Sequence, residues 1–341
     1  MKKMAKACAA IAACAGFVFS LAALSACGDD DDLITGDFST AATAAQMSDV
    51  QTRLETADMF GDTAAQGWTR NIRLVDDTRI TAELNYGEQS NVSYEYVKDI
   101  DHTFSFAGDG QQVGVRGSGS YRYKNEITDY DGYDEYVMRT EYDGESYSDE
   151  DYLYIDGFID YTDDYLGTDY ARSDKFRMPF NDCFDGIVYI DSFGDITEDF
   201  ISLADVYGIF SAGGFDVYVD SSADADTLKV KISLDIDEWL DMFADTVSGV
   251  LGSLGDIYVD AWDIYDAVYS GYFEYYLEFD KTGDTLLGYG NKYYFNVDFD
   301  SVILGYDTSA GIVIDSEVWV VCTDSAAAQL PSDLNEYGLF I

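Results

Sequence analysis

Between residues 100 and 165, runs of alternating aromatic and polar residues are punctuated by Asp-Gly pairs, and this pattern narrows the fold more than any other feature of the chain. The pairs are Asp109-Gly110, Asp131-Gly132, Asp143-Gly144 and Asp156-Gly157. Glycine there takes the positive φ that a tight hairpin turn demands. Flanks such as Tyr152-Leu153-Tyr154-Ile155 and Phe158-Ile159-Asp160-Tyr161 carry the strands. The last three pairs are 12 and 13 residues apart, so the segment is predicted to be an antiparallel meander with a turn at each pair. Tyr on one face and Asp, Glu or Ser on the other implies a sheet covered on one side only.

The flanking regions extend this reading. Ala44, Met47, Val50, Leu54 and Ala57 recur at spacings of three and four, which predicts a first helix. Strands follow at Ile72–Leu74, Ile80–Leu84 and Val92–Val97. After the meander, Asp195-Ile196-Thr197-Glu198 and Asp235-Ile236-Asp237-Glu238 each place an acid three residues before a glutamate, ahead of an apolar periodic run; two helices are predicted there. The second runs from Trp239 to Leu254. Residues 257–269 fit a helix apolar nearly all round. Strands return at Tyr272–Asp280, Leu286–Val297 and Gly311–Cys322, and Leu330-Pro331-Ser332-Asp333-Leu334 closes the chain in a turn or short helix.

The N-terminus says where the chain works. Lys2, Lys3 and Lys6 precede an apolar run from Ala7 to Leu24, the order of a secretory signal peptide. Leu24-Ser25-Ala26-Cys27 resembles a bacterial lipobox, in which the cysteine is lipidated and becomes the new N-terminus. The domain reading is therefore a signal peptide at 1–26, a lipidated acidic tether at 27–36 and a single β-rich extracytoplasmic domain at 37–341. The predicted location is the outer face of a bacterial cell membrane, on the cell surface or the periplasmic side.

Cleavage would remove three of the 19 basic residues and none of the 66 acidic ones, leaving 16 against 66 and a formal charge of −50. That charge argues against nucleic acid as a partner. The acids are interleaved with Tyr, Ile, Val and Phe rather than gathered in a tail, and 47% hydrophobic residues is a folding composition. Beyond Cys27 only Cys183 and Cys322 remain; they either pair as a disulfide or stand as two separate thiols, and no C-x-x-C supports a redox or zinc site.

Signatures of catalysis are missing from the sequence. The single histidine, His102, would have to serve any Ser-His-Asp or Cys-His site, and it reads instead as a solvent-facing or hydrogen-bonded strand residue. No G-x-S-x-G, H-E-x-x-H or P-loop occurs. Asp129-Tyr130-Asp131-Gly132 matches part of an EF-hand loop, but Ile127 and Met138 occupy its first and last ligand positions. No cofactor is expected; irregular Ca²⁺ sites at the acidic loops are the one metal chemistry the composition suggests. The chain is read as non-enzymatic.

The order of lipobox, tether, opening helix, antiparallel strands, helical insertion and closing strands resembles the LolA/LppX-like superfamily of lipoproteins and related uncharacterised lipoprotein families. Tyr152–Gly157, Leu228–Phe243 and Phe279–Gly283 carry the resemblance. It implies an α+β, mainly antiparallel β fold: a strongly curved sheet, or half-barrel, with helices covering the open side over an apolar cavity. The 239–254 helix would be the lid, with Trp239, Phe243, Val247 and Trp262 lining the cavity. The expected function is a membrane-anchored lipoprotein that binds or carries a hydrophobic, lipid-like ligand. The alternative is a surface-displayed module that binds glycans or proteins through a tyrosine-rich, acidic sheet face.

Overall fold

The structure, a computed structural model, describes residues 33–56, 59, 67, 69–86, 90–108, 113–130, 133–184, 188–190, 196–198, 215–220, 227–235, 268–280, 285–300 and 308–340. Six long strands form the predicted meander: β1 (Thr69–Tyr86), β2 (Ser90–Gly108), β3 (Val113–Tyr130), β4 (Glu135–Ser148), β5 (Tyr152–Asp163) and β6 (Thr168–Pro179). Later come a short hairpin, β7 (Val188–Ile190) with β8 (Ile196–Glu198), and then β9 (Asp216–Val219), β10 (Thr227–Asp235), β11 (Val268–Asp280), β12 (Leu286–Asp300), β13 (Thr308–Cys322) and β14 (Gly338–Leu339). All but β7 and β8 belong to one sheet in the order β14-β6-β5-β4-β3-β2-β1-β13-β12-β11-β10-β9. Every pairing in it is antiparallel except β14 on β6.

This overturns the expected α+β half-barrel. The described residues make an open, twelve-stranded, nearly all-β sheet with two short helices, α1 (Ala44–Thr56) and α2 (Phe180–Phe184), rather than a set of helices across an open side. The alternation persists without a break through strands of up to 19 residues, so Ile72–Leu74 and Ile80–Leu84 are one strand and not two. Ile196-Thr197-Glu198, expected to open a helix, is β8: two β-branched residues favour extended backbone, and Val188–Ile190 supplies the partner.

Two of the predicted turns are also corrected. Asp143-Gly144 and Asp156-Gly157 lie in mid-strand, with Gly144 directly opposite Gly157. A Cβ at Gly144 would come within 2.7 Å of the Gly157 Cα, so the glycines serve close approach of two backbones. The β2–β3 and β3–β4 connections fall at 109–112 and 131–134, around the other two pairs, and the next two at 149–151 and 164–167, where no Asp-Gly pair stands.

The two faces differ in chemistry. The inner face carries the core: Leu74, Ile100, Phe104, Leu153, Ile155, Val230, Leu277 and Phe279 are all fully buried, each contributing about 1.5–3 kcal/mol. Helix α1, opened by a Thr43–Gln46 capping box, adds Val50 and Leu54 to this core. The outer face carries cross-strand ion pairs, including Arg73–Asp101, Lys124–Glu95, Arg139–Asp160, Lys229–Glu278 and Lys292–Glu317.

Both ends of the described chain reach the sheet borders. Leu33–Phe38, part of it expected as tether, is a packed strap on the outer face: Ile34 is fully buried against Trp319 and Tyr276, beside Val75 and Val321. Gly290 leaves room for the Trp319 ring, which a Cβ would enter at 2.0 Å. The strap continues past Thr35, whose carbonyl accepts from Lys229 Nζ at 2.8 Å, to an Ala41–Tyr218 bridge on the border strand β9. At the opposite border β14 pairs with Phe176 and Arg177, setting Tyr337 against Tyr154 and Phe340 against Phe176.

Candidate functional site

Several places among the described residues of the sheet bring chemically capable side chains together. The first surrounds His102. It sits on β2 opposite Gly119, and the glycine lets the imidazole reach over β3 to β4. There its Nδ1 is 2.9 Å from Ser146 Oγ and its Nε2 3.1 Å from Ser148 Oγ. A Cβ at Gly117 would lie 2.1 Å from Ser148 Oγ and 2.2 Å from the imidazole, so that position must be bare. Phe104 and Phe184 close over the ring, which is fully buried. Burial depresses its pKa to about 3, only slightly opposed by Asp101. The histidine is thus the hydrogen-bonded strand residue the sequence allowed and not the solvent-facing one. Although it touches two serines, no substrate could reach them through this packing.

The second place is a cavity of about 520 Å³ on the outer face, lined by Arg73, Asp101, Thr103, Ser118, Ser120 and Ser325 among others. Arg73 grips Asp101 with two 2.9 Å hydrogen bonds, cancelling the charge of both. The segment after β13 borders the cavity, tied down by Ala328 N donating to Ser118 Oγ at 2.7 Å.

The third place is the far end of β3–β6, and it is the one built like a binding site. Asp129 and Tyr136 are cross-strand partners on the inner face. Tyr165, in the β5–β6 turn, stacks on Tyr136 at 5.0 Å with planes 9° apart and donates its hydroxyl to Asp129 Oδ2 at 2.9 Å. The two turns are laced together, because Val137 N donates to Asp164 Oδ2 at 2.8 Å and Asp164 N to Val137 O at 3.0 Å. Tyr161 and Tyr170 form a second stacked pair at 5.4 Å and 21°. Here the inner face opens to solvent: Tyr165 is 55% exposed and Tyr133 88%. Asp129 is nevertheless buried, and its Oδ1 has no hydrogen-bond partner among the described residues. A buried acceptor left in this state is costly unless a donor arrives.

Deeper along the same face Tyr123 stacks on Tyr142 at 4.8 Å and meets Tyr96 edge-on at 5.5 Å. Burial raises the pKa of both Tyr96 and Tyr142 well above the ordinary tyrosine range.

The residues nominated from sequence fare unevenly. Cys27, Trp239, Phe243, Val247 and Trp262 lie outside the described residues. Cys183 and Cys322 are not bonded to each other; Cys183 is buried in the core, its pKa pushed up to about 12 by burial, and Cys322 accepts from Arg70 Nη1 at 3.3 Å. Among the described residues no group of three or more His, Cys, Asp or Glu side chains is placed to hold a metal ion, and no helix is long and apolar enough to cross a membrane. Sequence reading missed Asp129 and the Tyr136–Tyr165 pair. The signal for them was the recurrence of Tyr beside Asp at both turns, in Asp129-Tyr130 and Asp164-Tyr165.

No family model and no curated protein matches the chain. Among solved structures, the translocator domain of autotransporter NalP from Neisseria meningitidis is similar at 11% identity and a TM-score of 0.16, over 82% of this chain and 98% of that one. A likeness that slight assigns neither fold nor function.

Proposed function

We propose that the protein is a lipoprotein, held at the outer face of a bacterial membrane by lipid on Cys27, whose open sheet end binds glycans. Asp129 carries the reading: a buried carboxylate oxygen with no donor among the described residues, set beside the stacked Tyr136–Tyr165 pair. Sugar rings offer what this arrangement lacks, hydroxyl donors for the carboxylate and C–H faces for the aromatic planes. The test is a glycan array probed with the mature domain, its Asp129→Asn form and its Tyr165→Ala form. Binding by the first that falls at least tenfold in both variants is expected; binding that survives both, or none to any glycan, overturns the proposal.

A second reading, a hydrophobic ligand held along the inner face, draws support from the aromatic run Tyr96, Tyr123 and Tyr142, which leads inward from the open end. Mass spectrometry of an organic extract from the purified domain with Cys27 removed tests it: a stoichiometric lipid supports it, and a clean extract removes it.

A further inference from the structure

We infer that the outer face of the sheet around β12, β13 and β1 is the membrane-facing side of the anchored protein, so that the tyrosine cluster on the inner face is turned away from the bilayer. The inference rests on the proposed lipidation of Cys27 and goes beyond it, because an anchor on a loose leash would fix no orientation.

The leash here is short and its end is clasped. Six Cα–Cα steps separate Cys27 from Leu33 and span at most roughly 22 Å. At Leu33 the chain is already against the sheet, and Ile34 is fully buried among Trp319, Tyr276 and Val321. Phe38 extends the clasp by packing edge-on to Tyr276 at 5.7 Å, and Lys229 holds the carbonyl of Thr35. Gly288 shapes the slot, since a Cβ there would sit 3.4 Å from Ile34 Cδ1 and 2.9 Å from Val321 Cγ1. The chain therefore leaves the body from the middle of the outer face.

The surroundings suit that placement. In an acidic chain that anionic headgroups would repel, part of the outer face beside the strap carries its charge in ion pairs, Lys229 with Glu278, Lys231 with Glu274, Lys292 with Glu317 and Arg73 with Asp101, although Asp77 and Asp99 stand opposite each other on the same face. The tyrosine cluster is far from this point. Val75, at the strap, aligns through Asp101 with Ser120 of β3. From Ser120 the strand runs ten residues to Tyr130, about 33 Å.

The experiment uses the full lipidated chain in phosphatidylcholine/phosphatidylglycerol vesicles carrying a headgroup acceptor dye, with Cys183 and Cys322 replaced by Ser. A donor dye is placed at Asp77→Cys, exposed on the outer face next to the strap, or at Tyr133→Cys, at the tyrosine-cluster end. Energy transfer several-fold greater from position 77 is expected. Inserting about 20 Gly/Ser residues between Asp32 and Leu33, a coil of roughly 25 Å, leaves the clasp intact and should bring the signal from 77 down toward that from 133. Equal transfer from the two positions, or a signal at 77 indifferent to the insertion, overturns the inference. Palmitate labelling that depends on Cys27 is measured in parallel. Its absence removes the anchor itself and this inference with it, whereas its presence with equal transfer defeats the orientation alone.

Discussion

At one end of the meander the inner face carries His102, Phe104, Gly117 and Ile155 beneath α2; about ten residues farther along the same strands, some 33 Å, it carries the buried Asp129 and the half-buried Tyr136, Tyr161 and Tyr170, beside the exposed Tyr133 and Tyr165. Both ends are aromatic, and both contain polar groups among the rings. They differ in whether the polar groups are finished. His102 finds Ser146 and Ser148, while Asp129 keeps one buried oxygen without a partner among the described residues. The sealed end reads as stability and the open end as recognition, since satisfied buried polar groups lock a core and unsatisfied ones mark where something else belongs.

Phe184→Ala probes this division most forcefully. Phe184 is fully buried against His102, Phe104, Phe180 and Tyr121, so its loss should cost about 4 kcal/mol in urea unfolding while glycan binding by the folded protein is unchanged. A weakened affinity would show that the two ends are not separate.

Acid is the next lever. The depressed pKa of His102 means that the unfolded chain takes up a proton below its ordinary value of 6.5 while the folded chain does not until about 3. Stability from this residue is therefore complete above pH 6.5 and is lost as pH falls toward 3, by about 2 kcal/mol between pH 6.5 and 5. The difference in unfolding free energy between the wild type and His102→Gln should narrow over that interval; a constant difference would place the histidine in a less buried setting.

At the open end Tyr165→Ala should cost about 1 kcal/mol or less, for one exposed stack and one hydrogen bond, yet abolish glycan binding. A large loss of stability would assign the tyrosines to structure. Smallest is Asp77→Asn on the outer face. Asp77 stands directly between Asp99 and Glu317 in neighbouring strands, and its pKa is raised, by burial first and then by the Asp99 carboxylate. The substitution should gain a few tenths of a kcal/mol, less in high salt, read as a slightly higher Tm.

The strands were legible because aromatic and β-branched residues alternate with acids for long stretches, and β11, β12 and β13 fall close to where this pattern puts them. The turns were not, because an Asp-Gly pair looks alike whether its glycine supplies a positive φ or, as at Gly144 and Gly157, empty space between two strands. Whether His102 faced water or the core depended on Gly117, Gly119 and two serines some 45 residues away, a match that exists only once β3 lies between β2 and β4. The binding end was hidden for the same reason: Asp129, Tyr136 and Tyr165 come from three stretches that only the register brings together.

The borders of the sheet carry a consequence of their own. Ala41 bridges to β9 at one side, and β14 covers part of β6 at the other, where Asp169, Arg172 and Asp174 follow along the remaining border. Proteins tethered to a membrane diffuse in two dimensions and meet at high local density with their orientations restricted, conditions under which bare strand edges would zip neighbours into ribbons. By spending the two ends of the folded body on its own margins, this chain stays an individual in a crowd.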